Sequence, residues 1–161
     1  MNLSTNENIY LDANFLIAYF VDNHNDHKNS KKLFALLLIN KNSFHFTPLT
    51  VDELMMGVHE VKNKAEIKKG SKKGYSVAHF YPELKAALEY LLNNKQFRLR
   101  QFENNLTDSC LLALENLKKF NLRPRDSFHV SYMQDFDIKY IVSTDKNFDR
   151  VKKIGINRIN F

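Results

Sequence analysis

Five short runs of strand character alternate with longer stretches of helical periodicity, and that alternation points to a parallel sheet covered by helices, an α/β fold. Ile9 to Leu11 opens the series, followed after Asp12 and Ala13 by an apolar helix from Asn14 to Val21. The polar stretch Asp22 to Asn29 leads into a helix with Leu33, Phe34, Leu37 and Leu38 on one face. Ser43 to Phe46 reads as the second strand, and Thr47-Pro48 turns into a helix from about Leu49 to Val61. Pro82 starts the next helix, whose stripe is Leu84, Ala87, Leu88 and Leu91. Gln96 to Phe102 alternates as a strand, and Thr107 or Asp108 caps a helix to about Phe120. Pro124 opens another helix ending near Phe136, Ile138 to Ser143 is a strand, and Ile154 to Phe161 forms a last edge strand. At 161 residues this is the size of one domain.

Composition excludes several classes of function. The longest uncharged apolar runs, Phe15 to Val21 and Leu33 to Ile39, are far too short for a membrane span. Met1 to Asn8 is polar, with neither a basic nor an apolar leader region, so a cytoplasmic location is expected. A single cysteine, Cys110, allows no internal disulfide and no cysteine-based zinc site. Its place in the pattern Cys110, Leu111, Leu114, Leu117 predicts core packing. The net charge of +6 is concentrated: six lysines (62, 64, 68, 69, 72 and 73) against Glu66 give the segment Lys62 to Lys73 a charge of +5. With Gly70 and Gly74, the segment Lys62 to Gly74 is read as a flexible basic insertion, and such charge suits a polyanion whose counterions are released on contact. A solvated loop without a partner is the plainer alternative.

Ligands of open α/β sheets gather beyond the carboxyl ends of the strands. Carboxylates occupy those places here. Asp12 follows the first strand, Asp145 follows the strand ending at Ser143, Asp126 lies in the first turn after Pro124, and Glu53 lies early in the helix after the second strand. Asp149 stands four residues past Asp145, one helical turn on. Adjacent helical residues point about 100° apart, so only one of Asp52 and Glu53 can face the site, and Glu53 is the choice. Each acid alone could be a helix cap. Together they would repel one another and resist ionisation unless a cation compensated, and hard oxygen ligands in that number suit Mg²⁺ or Mn²⁺.

Four segments together resemble the PIN-domain nuclease family, in particular VapC-type toxins and related small stand-alone PIN ribonucleases. They are Tyr10 to Ile17 (YLDANFLI), Thr50 to Leu54 (TVDEL), Arg123 to Val130 (RPRDSFHV) and Ser143 to Asp149 (STDKNFD). The resemblance implies a single PIN-like domain, a parallel sheet of about five strands flanked by helices, and an acidic pocket for one or two divalent ions. It also implies cleavage of RNA, an antitoxin partner and homodimeric assembly. Carried over by position, Asp12, Glu53, Asp126 and Asp145 form the acidic set, with Asp149 accessory to the metal ligands Asp12, Asp126 and Asp145, and with Asn14 and Thr144 supporting the pocket.

The chemistry expected is metal-assisted hydrolysis of phosphodiester bonds by water, with Glu53 completing the shell or orienting that water. Lys68, Lys69, Lys72, Lys73, Arg123 and Arg125 are the expected phosphate contacts, which position a backbone without reading its sequence. Two alternatives stand beside this. One is an RNA- or protein-binding module that keeps the fold without turnover. The other is an RNA-processing nuclease that is not a toxin, consistent with a stretch from Lys62 to Phe80 longer and more basic than compact toxins carry. His129, three residues after Asp126, is read as packing beneath the site, because this chemistry needs no histidine. His24 and His27 belong to a solvated connection. Phe15, Tyr19 and Phe20 are core residues by spacing, while Tyr75, Phe80 and Tyr81 are the better candidates for stacking on bases.

Overall fold

The structure, a computed structural model, describes residues 5–71, 73–103 and 105–161. Five parallel strands form one sheet: β1 (Asn8–Leu11), β2 (Ser43–Phe46), β3 (Phe97–Leu99), β4 (Tyr140–Val142) and β5 (Asn157–Ile159), in the order β3-β2-β1-β4-β5. The chain therefore starts in the middle, winds outward to β3, then crosses to the other side of β1. The winding reverses between β1 and β4, and the region beyond the carboxyl ends of the strands at such a point is where sheets of this kind bind ligands. The register there pairs Leu11 with Val142, and Asp12 N–H donates to the Val142 carbonyl at 3.2 Å.

Helices cover both faces. They are α1 (Ala13–Phe20), α2 (His27–Ile39), α3 (Pro48–Lys68), α4 (Tyr81–Asn93), α5 (Leu106–Phe120) and α6 (Pro124–Asp135), with 3-10 segments at Val77–Phe80 and Lys146–Ile154. Strand alternation divides β1 between the two cores. Ile9 and Leu11 pack with Phe15, Leu16, Phe44, Phe46 and Leu54 on the α1 to α4 side. Tyr10 packs on the opposite side with Val130, Met133, Ile141, Phe148 and Val151. Among the described residues no helix is long and apolar enough to cross a membrane.

Three expectations are corrected. The basic insertion is not a loop from Lys62 onward, because α3 runs on to Lys68. No Pro or Gly interrupts its last turns before Gly70, and Glu60 pairs with Lys64 one turn on at 3.6 Å. Cys110 is exposed rather than packed in the core. Helix α5 turns a different face inward, burying Ser109, Ala113, Asn116 and Phe120. Asn116 donates to Ser131 Oγ and Gln134 Oε1 of α6, at 3.0 and 2.7 Å, so a polar seam of small residues sets the rotation of α5. Leu106, Leu111 and Leu114 are left outside. The cap of α5 is Asn105, which accepts from Thr107 N–H at 2.9 Å.

The long helix α3 lies directly against α1, and Gly57 makes that approach possible. A Cβ there would stand 2.1 Å from Ile17 Cδ1 and 2.9 Å from Ile17 Cγ1. Gly57→Val is expected to destabilise the fold by about 1–3 kcal/mol through overpacking. Adding Ile17→Ala should recover most of that loss in urea melts, because the two side chains compete for one space.

Candidate active site

Asp12 is the residue after β1 and the N-cap position of α1, yet its side chain makes no capping bond to that helix. It accepts instead from the Ser143 hydroxyl at 2.6 Å. Ser143, fully buried at the end of β4, has all its hydrogen-bonding capacity in use: it donates to Asp12 and accepts from Asn14 Nδ2 at 3.0 Å and from Asp145 N–H at 2.9 Å. Asn14 Oδ1 also accepts from Thr144 N–H at 3.3 Å. Asn14 thus ties the loop after β4 to the start of α1, whereas the Thr144 residue itself is exposed.

Glu53 reaches the same place from α3. Thr47 and Thr50 form a reciprocal capping box with Pro48 between them, which fixes the start of that helix at the end of β2. Glu53 is held largely inside, with 17% of its side chain exposed, while the neighbouring Asp52 is 54% exposed. Arg125 spans the two, 3.8 Å from Glu53 Oε1 and 3.4 Å from Asp52 Oδ2. Among the described residues, Asp12, Glu53 and His129 offer ligand atoms that all lie within 4.8 Å of one another.

Asp126 and Asp145 form a second group, not among those ligand atoms and linked to them through Ser143 and His129. Asn147 Nδ2 lies 3.4 Å from an oxygen of each, and Asp145 also accepts from Asn147 N–H at 2.8 Å. Burial raises the pKa of Asp126 first and the nearby Asp145 charge raises it further, against easing by His129 and Arg123. Burial pushes Asp12 up to about 6, and Glu53 adds to that, while His129 and the Ser143 hydrogen bond oppose it. His129 acts electrostatically on both groups, and it is almost wholly buried.

Asp149 does not join the group. Both its oxygens are taken by Arg158, at 2.7 and 3.0 Å, which holds its carboxyl below the usual range. The segment after Asp145 is a 3-10 helix with three residues per turn, so a residue four places on is turned well away. Of the basic candidates, Arg125 and Arg123 lie at the start of α6 beside the acids. Lys68 stands about 22 Å farther along α3 than Glu53. Lys69 pairs with Glu66 at 2.8 Å, Lys73 is exposed, and Lys72 lies outside the described residues. Phe80 is buried, while Tyr75 stacks on His79 with 4.0 Å between ring centroids and Tyr81 is exposed.

The PIN domain family model matches residues 9–154. This chain belongs to the PIN domain family. No curated protein sequence shows significant similarity to it. Solved structures share the fold at low identity. VapC20 of Mycobacterium tuberculosis, described as a sarcin-ricin loop cleaving toxin, is 16% identical with a TM-score of 0.64, over 94% of this chain and 98% of that one. VapBC2 of Rickettsia felis, bound to a DNA fragment from its promoter, is 14% identical with a TM-score of 0.58, over 96% and 98%. FitAcB of Neisseria gonorrhoeae is 16% identical with a TM-score of 0.56, over 94% and 96%.

The donor set of this PIN domain fits a divalent cation. Its buried and half-buried carboxylates supply hard oxygen atoms, and the raised Asp12 pKa records a negative charge short of compensation. In metal-free protein, an acid whose folded pKa exceeds its unfolded value stabilises the fold most below the unfolded pKa, 3.8, and that contribution is lost as pH rises through about 6. Asp12→Asn is therefore expected to raise the stability of EDTA-treated protein at neutral pH by on the order of 2 kcal/mol, and to change it little near pH 4. Denaturant melts at the two pH values check this; an equal offset at both would mean that Asp12 is not desolvated.

Proposed function

We propose that this protein is a divalent-metal-dependent endoribonuclease that hydrolyses RNA phosphodiester bonds and acts as the toxin of a toxin-antitoxin pair. The observation that carries the reading is the convergence of Asp12 and Glu53 beyond the carboxyl end of β1, with Asp126 and Asp145 coupled beside them, in a chain that belongs to the PIN domain family. Descriptions of similar structures as a sarcin-ricin loop cleaving toxin and as a VapBC assembly support the substrate class and the antitoxin partner.

Asp12, Asp126 and Asp145 would hold Mg²⁺ or Mn²⁺. When bound, such an ion supplies Lewis-acid polarisation of the scissile phosphate and lowers the pKa of a water molecule. Glu53 would complete the shell of that ion or orient the attacking water. Ser143 and Asn14 keep Asp12 and the loop carrying Asp145 in register, so the acids meet the substrate already placed. Arg125, ion-paired to Asp52 and Glu53, can exchange these carboxylates for a substrate phosphate. Lys68 would touch phosphates several nucleotides away, since about 22 Å corresponds to roughly six stacked nucleotides at about 3.4 Å each, and Lys69 and Lys73 belong to the same reading. Homodimeric assembly belongs to the same reading.

A mixed RNA pool incubated with Mg²⁺, Mn²⁺ or EDTA, followed by end mapping, tests the chemistry and the substrate together. Cleavage should require a divalent ion and disappear in Asp12→Asn and Asp126→Asn, with melting temperatures at or above that of the unchanged protein. Metal-independent cleavage, or full activity in either variant, would remove the site from the reaction.

A further inference from the structure

A closed circuit of hydrogen bonds runs beneath the carboxylates and none of the chemistry above uses it. His129 Nε2 lies 2.8 Å from Glu53 Oε2, and His129 Nδ1 lies 2.8 Å from the Tyr10 hydroxyl. That hydroxyl is in turn 2.8 Å from Thr47 Oγ1 and 3.2 Å from Thr50 Oγ1. The two threonines are the capping pair of α3, the helix that carries Glu53. The circuit therefore leaves α3 at its first turn, passes through β1 and α6, and returns to α3 at the Glu53 carboxylate. Tyr10, Thr47, Thr50 and His129 are all at most 2% exposed.

We propose that His129 is a positioning residue for Glu53, aimed by Tyr10, which fixes one carboxylate oxygen so that the other faces the cation and the attacking water. The first argument concerns the proton. A bare Nε2 would set its lone pair against a carboxylate oxygen at 2.8 Å, so Nε2 carries hydrogen and donates. The second concerns the ring. With Nδ1 anchored on Tyr10, a flipped imidazole would place carbon against both partners, so its orientation is set. The third concerns Glu53 itself. A free glutamate loses side-chain rotamer entropy on being immobilised, and a buried donor at Oε2 offsets that before any substrate arrives. Oε1 is left toward the open side, where Arg125 approaches to 3.8 Å. Ligation of a metal by His129 is the competing assignment, since its ring lies among the same ligand atoms. It would require Nε2 to give up Glu53.

The test is a mutant cycle on the full chain, with Mn²⁺ titration calorimetry as the first readout and RNA cleavage as the second. His129→Ala should weaken Mn²⁺ binding and lower kcat by roughly 10–100-fold. His129→Gln, which restores an N–H donor, should recover most of both. Tyr10→Phe should move both readouts in the same direction by less. In a Glu53→Gln background, His129→Ala should add little, because its effect passes through Glu53. Additive losses in the double variant would overturn the proposal, as would His129→Gln as damaged as His129→Ala, or Tyr10→Phe equal to the unchanged protein. Should His129→Ala fail to fold, His129→Gln and Tyr10→Phe, each with and without Glu53→Gln, decide the same question. The inference rests on the nuclease reading only in its cleavage arm. Unchanged protein that binds Mn²⁺ but leaves RNA intact removes that reading and leaves calorimetry to judge the circuit; protein without Mn²⁺ affinity overturns both.

Discussion

Like charge forced into a desolvated site is the constraint on which the rest of this structure depends. Asp12 is almost fully enclosed, and Glu53 stands within ligand distance of it. Water would relieve such a pair, but the sheet and two helix starts have taken most of the water away. What remains is local: one serine hydroxyl, one imidazole and an arginine at the mouth. His129 and Ser143 ease the cost of ionising Asp12, but burial, with Glu53 adding to it, outweighs them and the Asp12 pKa stands at about 6. A site in this condition is prepared for a doubly charged ion and costs the empty fold stability.

The topology explains why so few elements suffice. Because β1 lies at the centre and the winding reverses beside it, the residue after β1 and the loop after β4 are neighbours by construction. Alternation along β1 then does two jobs. Ile9 and Leu11 serve the core under α1 to α4, whereas Tyr10 serves the other core and lends its hydroxyl to the polar circuit. Packing and site geometry therefore share one side chain.

Much of this is legible in the sequence, and the misses have physical reasons. Strand positions, the acids at their ends and the limit that only one of Asp52 and Glu53 can face the site follow from periodicities of about 2 and 3.6 residues, whereas the choice between those two does not. The strand order does not, because periodicity carries no information about neighbours. An α-helical turn would set Asp149 on the side of Asp145, and the 3-10 segment rotates it to Arg158 instead. Ser143 gives no signal, since a serine ending a strand is ordinary until Asp12 and Asn14 are brought against it. His129 reads as packing when only the metal chemistry is considered. A signal exists all the same: Tyr10 shares its strand side with Asp12, and His129 shares its helix face with Asp126, so the two polar rings are due to meet. The expectation for Cys110 fails because hydrophobicity alone favours its apolar stripe, whereas the small residues Ser109 and Ala113 are the ones turned inward.

The outermost strand contributes none of the acids, yet it shapes the turn that does. Arg158 of β5 grips Asp149 with two nitrogens, and Nη1 also donates to the Ser143 carbonyl at 3.1 Å, while Ser143 N–H donates to the Ile159 carbonyl at 3.1 Å. The backbone that presents the hydroxyl to Asp12 is thus braced from the sheet's edge. Shortening the polypeptide ahead of Arg158, or displacing that strand with a bulky C-terminal fusion, would slacken the support of Ser143 beneath Asp12 while every acidic group remained in the chain.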